Sequence, residues 1–216
     1  MVNTVRLLWL AVCVTWMQSV RYAARGNLYG ACSTGRKRCN VCSTWYGCGS
    51  DRNVLNGREG VSIANYNCPG QIVITGEAAA VAEAGTALKE AGARRVLPLK
   101  VSGPFHSPMM RPAGEELAKV FARVSMNPLR IPYVANINAE VITDCGRIEG
   151  LLVEQVSGSV RWQQSVETMI REGVDTFVEI GPGKTLTGFL RKIDKNVKAY
   201  HIGSWEEAVQ VCEELK

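Results

Sequence analysis

The sequence predicts a mixed α/β fold, and three observations support this prediction. Of the 216 residues, 46% are hydrophobic and 21% charged, a composition typical of a globular protein with a buried core. Strand, strand, helix and strand patterns follow one another between residues 61 and 101. Nearer the C-terminus an apolar strand runs into a glycine turn that opens a helix, which is typical of α/β sheets. No apolar run reaches the ~18 residues of a membrane-spanning helix.

The first half of the regular region predicts a small α+β unit. Val61–Tyr66 and Gln71–Thr75 are β-branched runs, and the Pro69-Gly70 turn separates them. Residues 77–92 have apolar side chains at helical spacing, and Gly92 lies where a helix cap is expected. Arg95–Val101 completes the unit as a strand. We therefore place one unit at residues 51–102 and a second, larger one at residues 103–216.

The second half alternates helices with short strands. Its predicted helices are Ala113–Val124, Gly150–Val156, Trp162–Glu172, Leu186–Ile193 and Trp205–Leu215, and its predicted strands are Ile131–Asn136 and Thr176–Ile180. Trp162 and Phe177 are predicted to be core residues. The sequence Gly181-Pro182-Gly183-Lys184 could cradle a phosphate at a helix N-terminus. It does not match the phosphate-binding loop G-x-x-x-x-G-K-[ST], and a tight turn between strand and helix is the favoured interpretation.

Two histidines are the chemically informative side chains. His201 follows Tyr200 near the C-terminus and is predicted to be structural or exposed. His106 lies in a loop stiffened by Pro104 and Pro108. A general base needs a fixed side-chain orientation and a pKa near the working pH, and an imidazole in a rigid loop meets the first need. A structural role for His106 remains the alternative on these residues alone.

The first fifty residues differ in composition from the rest. They hold six Lys and Arg, no Asp or Glu, five of the eight Cys and three of the five Trp. The net charge of +5 therefore arises there and is weak evidence for a nucleic-acid partner. One interpretation is a signal peptide, with Arg6 before the apolar run Leu7–Met17. Another is a Cys-rich metal or disulfide module, whose four thiols are Cys32, Cys39, Cys42 and Cys48.

Three segments in series resemble malonyl-CoA:acyl-carrier-protein transacylases. They are Ser62–Gly76, with the turn N-C-P-G-Q, then Val101–Ser107, with G-P-F-H-S, and Val174–Lys184, with F-V-E-I-G-P-G-K. The resemblance implies a hydrolase-like acyltransferase body that carries a small ferredoxin-like α+β subdomain. It also implies malonyl transfer from coenzyme A to the phosphopantetheine thiol of acyl carrier protein, in fatty-acid synthesis, through a serine ester.

The resemblance assigns roles to individual residues. His106 matches the catalytic histidine that takes the serine proton. In the family a backbone carbonyl orients this histidine, and Gln155 matches the glutamine of the segment before the V-x-W motif, to which we assign that role. Asn67 matches an asparagine that lines the site. Arg25, in the string R-G-N-L, resembles the arginine that binds the malonyl carboxylate. No metal or cofactor is implied, and we expect a cytoplasmic monomer that binds neither nucleic acid nor a membrane.

One part of the family pattern is missing. No serine of these 216 residues lies in a G-x-S-x-G elbow. Shifted reading frames of the first fifty residues, however, permit family-like strings: Met1–Leu8 permits G-E-Y-S-A-L-V, Tyr29–Gly35 permits M-E-H-V-P-P-G, and Tyr46–Cys48 permits M-D-A. We therefore expect residues 1–50 to be an out-of-frame, poorly folded segment of a truncated transacylase, with the nucleophile codon just before Met1. The string R-G-N-L at residues 25–28, which holds Arg25, is interpreted as a brief in-frame patch within it.

Three hypotheses follow. The first is an acyltransferase whose 216-residue chain shows little malonyl transfer, because its general base has no serine to activate. The second is a non-catalytic remnant that still binds carrier protein. The third is a secreted protein with a Cys-rich N-terminal module. The scattered Cys68, Cys145 and Cys212 favour reduced thiols and thus a cytoplasmic setting.

Overall fold

The computed structural model describes residues 38–44, 54–99 and 103–216. For residues 38–44 it describes the backbone alone. The N-terminal part forms a four-stranded antiparallel sheet in the order β2-β3-β1-β4. Its strands are β1 (Arg38–Thr44), β2 (Val61–Cys68), β3 (Gln71–Glu77) and β4 (Arg95–Leu99).

Strand β1 lies within the segment that we expected to be poorly folded. Its backbone pairs with both β3 and β4, so that Val41 lies opposite Ile74 on one side and Pro98 on the other. The sheet therefore extends beyond the boundary predicted at residue 51. The sequence R-C-N-V-C-S-T lacks the alternation of apolar and polar residues that predicts a strand, which is why the sequence analysis missed it. The out-of-frame origin of residues 1–50 stays a prediction.

One helix covers the sheet and closes a small hydrophobic core. Helix α1 (Ala78–Glu90) buries Val81, Ala84 and Leu88, which lie at helical spacing, against Ile72 and Ile74 of β3. The predicted cap at Gly92 is present. Gly92 has φ 103° and its N–H donates to the carbonyl of Lys89, while the Ala93 N–H donates to that of Leu88 at 2.8 Å.

The C-terminal part is built from five helices and four short strands within residues 103–216. The helices are α2 (Arg111–Phe121), α3 (Ile148–Ser157), α4 (Trp162–Arg171), α5 (Thr185–Ile193) and α6 (Trp205–Glu214). The strands are β5 (Tyr133–Val134), β6 (Val141–Ile142), β7 (Thr176–Ile180) and β8 (Lys198–Ile202). Short 3₁₀ turns precede α2 and α3, at Pro108–Met110 and Cys145–Arg147.

The core of this part lies between α4, α5 and β7. Trp162 and Phe177 are buried in it together with Val166, Met169 and Leu190, so the prediction of two core aromatics is confirmed. Strands β7 and β8 pair in parallel, and helix α5 is the crossover that connects them. The sequence analysis missed β6 and β8, and the predicted strand 131–136 is reduced to β5.

The two parts meet along β2, the edge strand of the four-stranded sheet. The Tyr66 N–H donates to the Val160 carbonyl at 2.9 Å, and the Val160 N–H donates to the Ala64 carbonyl at 2.7 Å. Val160 follows α3 and precedes α4, so the segment between these helices extends the sheet edge by a short parallel bridge. This segment also adjoins the candidate site.

Candidate active site

His106 lies in a tight loop that holds its backbone in an unusual conformation. Its φ is 60°, a left-handed value that costs a residue with a Cβ of the order of 1 kcal/mol. The neighbouring residues fix this conformation. The Ser107 hydroxyl donates to the Pro104 carbonyl at 2.7 Å, and the Met110 N–H donates to the Ser107 carbonyl at 2.9 Å. Because Pro104 and Ser107 are both fully buried, the loop has little freedom to relax.

The imidazole of His106 contacts the backbone of α3. Its Nδ1 lies 3.0 Å from the carbonyl oxygen of Gln155, while the Gln155 side-chain Nε2 lies 3.5 Å from the same nitrogen. A carbonyl can only accept, so the shorter contact requires a proton on Nδ1. The neutral ring then carries its lone pair on Nε2. The structure thus brings together the two residues that the resemblance names, and in the arrangement that it implies.

The side chain of Gln155 secures the end of α3. It is 8% exposed, and its Nε2 donates to the Gly158 carbonyl at 3.0 Å and makes a longer contact of 3.4 Å with that of Ser159. These bonds hold the residues after the helix against its last turn. The Oε1 atom is buried without a hydrogen-bond partner among the described residues.

Asn67 and Gln71 lie at the turn between β2 and β3. Tyr66 pairs with Ile72 and Cys68 with Gln71, so Asn67 is the extra residue of a bulge. Bulges redirect side chains and are common beside active sites. The Gln71 Oε1 accepts a hydrogen bond from Lys192 of α5 at 3.5 Å, which ties the turn to the C-terminal part. The predicted role of Asn67 in lining a site is not tested by these contacts.

A carboxylate of the chain itself binds the first turn of α5, just after the glycine turn. Glu179, 7% exposed, accepts from the N–H groups of Leu186 at 3.1 Å and Thr187 at 2.7 Å and from the Thr187 hydroxyl. Two of the N-terminal amides of α5 are therefore occupied. This favours the tight turn over the phosphate cradle. The sequence analysis missed Glu179, although its position two residues after the buried Phe177 places it on the core-facing side of β7.

His201 has a structural environment, as predicted. Its Nε2 lies 2.9 Å from the Gly181 carbonyl, and its Nδ1 lies 3.5 Å from the Glu207 carboxylate. The Gly203 N–H donates to Glu207 and is the main reason that the pKa of this carboxyl is lowered, with smaller contributions from the charges of His201 and Lys184.

A cavity of about 250 Å³ lies beside His201 and Glu207, and His106 is not among its lining residues. It is lined by Lys184, Thr187, Arg191, Ala199, Tyr200, His201, Glu207, Gln210, Val211 and Glu214.

Several residues of the sequence analysis lie outside the described part of the chain. Arg25 and the cysteines 13, 32 and 48 are not among the described residues, and the side chains of Cys39 and Cys42 are not described either. Among the described residues, Cys68, Cys145 and Cys212 form no disulfide. Where side chains are described, at residues 54–99 and 103–216, no three His, Cys, Asp or Glu residues are grouped to hold a metal ion. No helix of the described ranges is long and apolar enough to cross a membrane.

Comparison with known proteins identifies the family. The sequence profile of the acyl transferase domain matches residues 18–211. This chain belongs to the acyl transferase family. The match to the acyl transferase profile begins within the segment that we interpret as out of frame, and it contains His106, Gln155, the N-C-P-G-Q turn and the glycine turn.

Individual relatives of this acyl transferase chain are malonyl transferases by name. The malonyl CoA-acyl carrier protein transacylase of Bacillus subtilis (strain 168) is 42% identical over 156 residues, which are 72% of this chain and 49% of the relative. The acyl-carrier-protein-S-malonyltransferase of Bartonella henselae matches in structure with a TM-score of 0.82 and 36% identity, over 88% of this chain and 62% of its own. The predicted mixed α/β acyltransferase fold is thereby confirmed.

A further structural relative was solved with its partner. A malonyl-transacylase in complex with a type II PKS acyl-carrier protein has a TM-score of 0.81 and 33% identity, over 91% of this chain and 65% of that chain. The chain spans about half the length of the curated relatives that it matches. The family and fold are therefore established over the matched part.

Proposed function

We propose that this chain carries the general-base part of an [acyl-carrier-protein] S-malonyltransferase. The observation that supports the proposal is the pair formed by His106 and Gln155. The Nδ1–H of His106 donates to the Gln155 carbonyl at 3.0 Å, and this leaves Nε2 as the basic atom. A left-handed loop and a buried glutamine at a helix end hold the ring in one orientation, as a general base requires.

The reaction needs one proton acceptor that is used twice. Nε2 of His106 takes the proton of a serine hydroxyl as its oxygen attacks the malonyl thioester of coenzyme A. The imidazolium returns the proton to the departing CoA thiolate, which leaves a malonyl ester on the serine. The phosphopantetheine thiol of acyl carrier protein then gives its proton to Nε2 and attacks the ester. The tetrahedral intermediate then collapses, the serine oxygen leaves, and the imidazolium returns the proton to it.

The Gln155 carbonyl serves this cycle as a neutral partner for the ring. It fixes the tautomer and stabilises the imidazolium by a hydrogen bond, whereas in a Ser-His-Asp triad a carboxylate does so. Asn67, at the bulge of β2, is proposed to line the substrate site, and Arg25 to bind the malonyl carboxylate. The proposed setting is the cytoplasm, with a monomeric enzyme acting on malonyl-CoA and acyl carrier protein.

The 216 residues alone are proposed to transfer little malonyl, because none of their serines lies in a G-x-S-x-G elbow. Removing the nucleophile of such a pair costs several orders of magnitude in rate. The experiment that tests both statements compares this chain with a chimera. In the chimera, residues 51–216 follow the corresponding N-terminal part of the Bacillus subtilis relative, which the resemblance predicts to carry the serine elbow.

The readout is the malonyl ester on the enzyme, measured by mass after mixing with malonyl-CoA, followed by transfer to acyl carrier protein. The expected result is rapid ester formation and transfer by the chimera, and neither by the 216-residue chain. The N-terminal part of the relative alone is the matched control and is expected to form no ester. A folded chimera that binds malonyl-CoA yet forms no ester would contradict the proposal.

A further inference from the structure

Ser159 links the segment after α3 to the edge of the four-stranded sheet. Its hydroxyl donates to the Ile63 carbonyl of β2 at 2.6 Å, across 96 positions of the sequence. The backbone of the next residue, Val160, makes two further bonds to β2, with Ala64 and Tyr66. The hydroxyl is therefore a side-chain link between β2 and the peptide that joins Gly158 to Ser159.

The same peptide groups hold Gln155. The Gln155 Nε2 contacts the carbonyl oxygens of Gly158 and Ser159, at 3.0 and 3.4 Å. The Gln155 carbonyl in turn accepts from His106 Nδ1. A continuous series of hydrogen bonds thus runs from β2 through Ser159 and Gln155 to the imidazole of His106.

The packing around Gly158 leaves this segment little room to move. A Cβ at Gly158 would lie 2.1 Å from the Ile137 Cδ1 and 3.1 Å from the Glu154 carbonyl oxygen. The Gly158 N–H also donates to that carbonyl at 2.9 Å. Residues 158 and 159 are therefore enclosed between α3, Ile137 and β2, with the Ser159 hydroxyl as their connection to β2.

We propose that Ser159 is a positioning residue that sets the tautomer of His106 through Gln155. This inference rests on the proposed function, because it matters only if the Nε2 atom of His106 is the base. When the hydroxyl is lost, the peptide between residues 158 and 159 gains freedom and the Gln155 side chain loses fixed acceptors. The last turn of α3 then holds its carbonyl less firmly against Nδ1.

The test is nitrogen NMR of the imidazoles in the 216-residue chain. With only two histidines in the sequence, labelled histidine gives two rings, and His201→Ala assigns them. The expected wild-type result is a His106 ring protonated at Nδ1. In Ser159→Ala the chemical shifts of the two His106 ring nitrogens are expected to move towards each other. The ratio of the two tautomers should change about five-fold, which corresponds to the loss of one ordinary hydrogen bond. Ser159→Thr keeps the hydroxyl and is expected to restore the wild-type pattern.

Ser165→Ala is the matched control. Its hydroxyl is buried and donates to the Arg161 carbonyl at 2.8 Å, so its loss weakens the fold without affecting the contacts of Ser159. The control is expected to lower the melting temperature and leave the His106 tautomer unchanged. An unchanged tautomer in Ser159→Ala, or an equal change in Ser165→Ala, would overturn the inference. A wild-type ring protonated at Nε2 would overturn both the inference and the base assigned in the proposed function.

Discussion

The Nδ1 atom of His106 lies 3.0 Å from the backbone carbonyl oxygen of Gln155, which belongs to a helix 49 positions away. A backbone carbonyl cannot lose its acceptor role by titration or by a change of side chain. The position of the last turn of α3 therefore decides how closely this acceptor meets Nδ1. The side chain of Gln155 contributes by holding the residues that follow this helix end.

Replacing Gln155 by alanine keeps the carbonyl and removes the side-chain bonds. The Gly158 and Ser159 carbonyls lose a donor, so we expect the free energy of unfolding to fall by about 1–3 kcal/mol. Urea denaturation measures this change. Gln163→Ala is the control, because it removes only a bond between neighbouring turns of α4, to Glu167 at 2.7 Å, and should cost about 0.5 kcal/mol or less. Equal losses would show that the Gln155 side chain does not secure the helix end.

The Glu179 carboxylate should stabilise the first turn of α5. Glu179→Ala removes the acceptor of the Leu186 and Thr187 amides, and we expect a loss of about 2 kcal/mol in urea denaturation. Glu179→Gln retains an oxygen that can accept and should cost less. Glu213→Ala, on the exposed side of α6, is expected to change stability by less than about 0.5 kcal/mol. A Glu179→Ala protein as stable as the wild type would contradict the capping role.

The two glycines near the start of α5 should respond in opposite directions to alanine. Gly183 has φ 87°, and a Cβ added there would meet no atom within 4 Å, so Gly183→Ala adds backbone strain alone and should destabilise by about 1 kcal/mol. Gly188 lies inside α5 with equally open space. Gly188→Ala should therefore stabilise by about 0.5–1 kcal/mol. Thermal denaturation of both variants tests this prediction. Changes of the same sign in the two melting temperatures would be inconsistent with the turn geometry.

The pH dependence of stability should reveal the contribution of the Glu207 carboxylate to the fold. The Gly203 N–H, which donates to this carboxylate, lowers its pKa in the folded chain. A carboxyl with a lowered pKa stabilises the fold above its unfolded pKa, and this contribution is lost as the pH falls through the folded value. Melting temperatures of the wild type and Glu207→Gln should therefore differ at neutral pH and converge in acid. A difference that grows towards acid would have the wrong sign for this cause.

The sequence predicted the elements whose signals are local. Periodicity and turn residues were enough to predict the strand 176–180, the cap at Gly92 and the core position of Phe177. Strand β1 could not, because its pairing with β3 and β4 depends on partners distant in sequence and its own residues do not alternate. His106 and Gln155 were found by resemblance. Ser159 lies in none of the quoted motifs. Glu179 lies in the segment F-V-E-I-G-P-G-K, but nothing in that string assigns it a role, and only the fold brings the two side chains to Ile63 and to the α5 amides.

The central claim is that His106 is the proton acceptor in malonyl transfer, and the single-turnover rate of ester formation in the chimera tests it most directly. General bases of this kind contribute about 10²–10⁴-fold to rate. We expect His106→Ala to slow ester formation by a factor in that range, with binding of malonyl-CoA little changed. His201→Ala, which removes the other histidine of the sequence, is expected to leave the rate near that of the parent. A His106→Ala chimera that forms the ester at the parent rate would contradict the account.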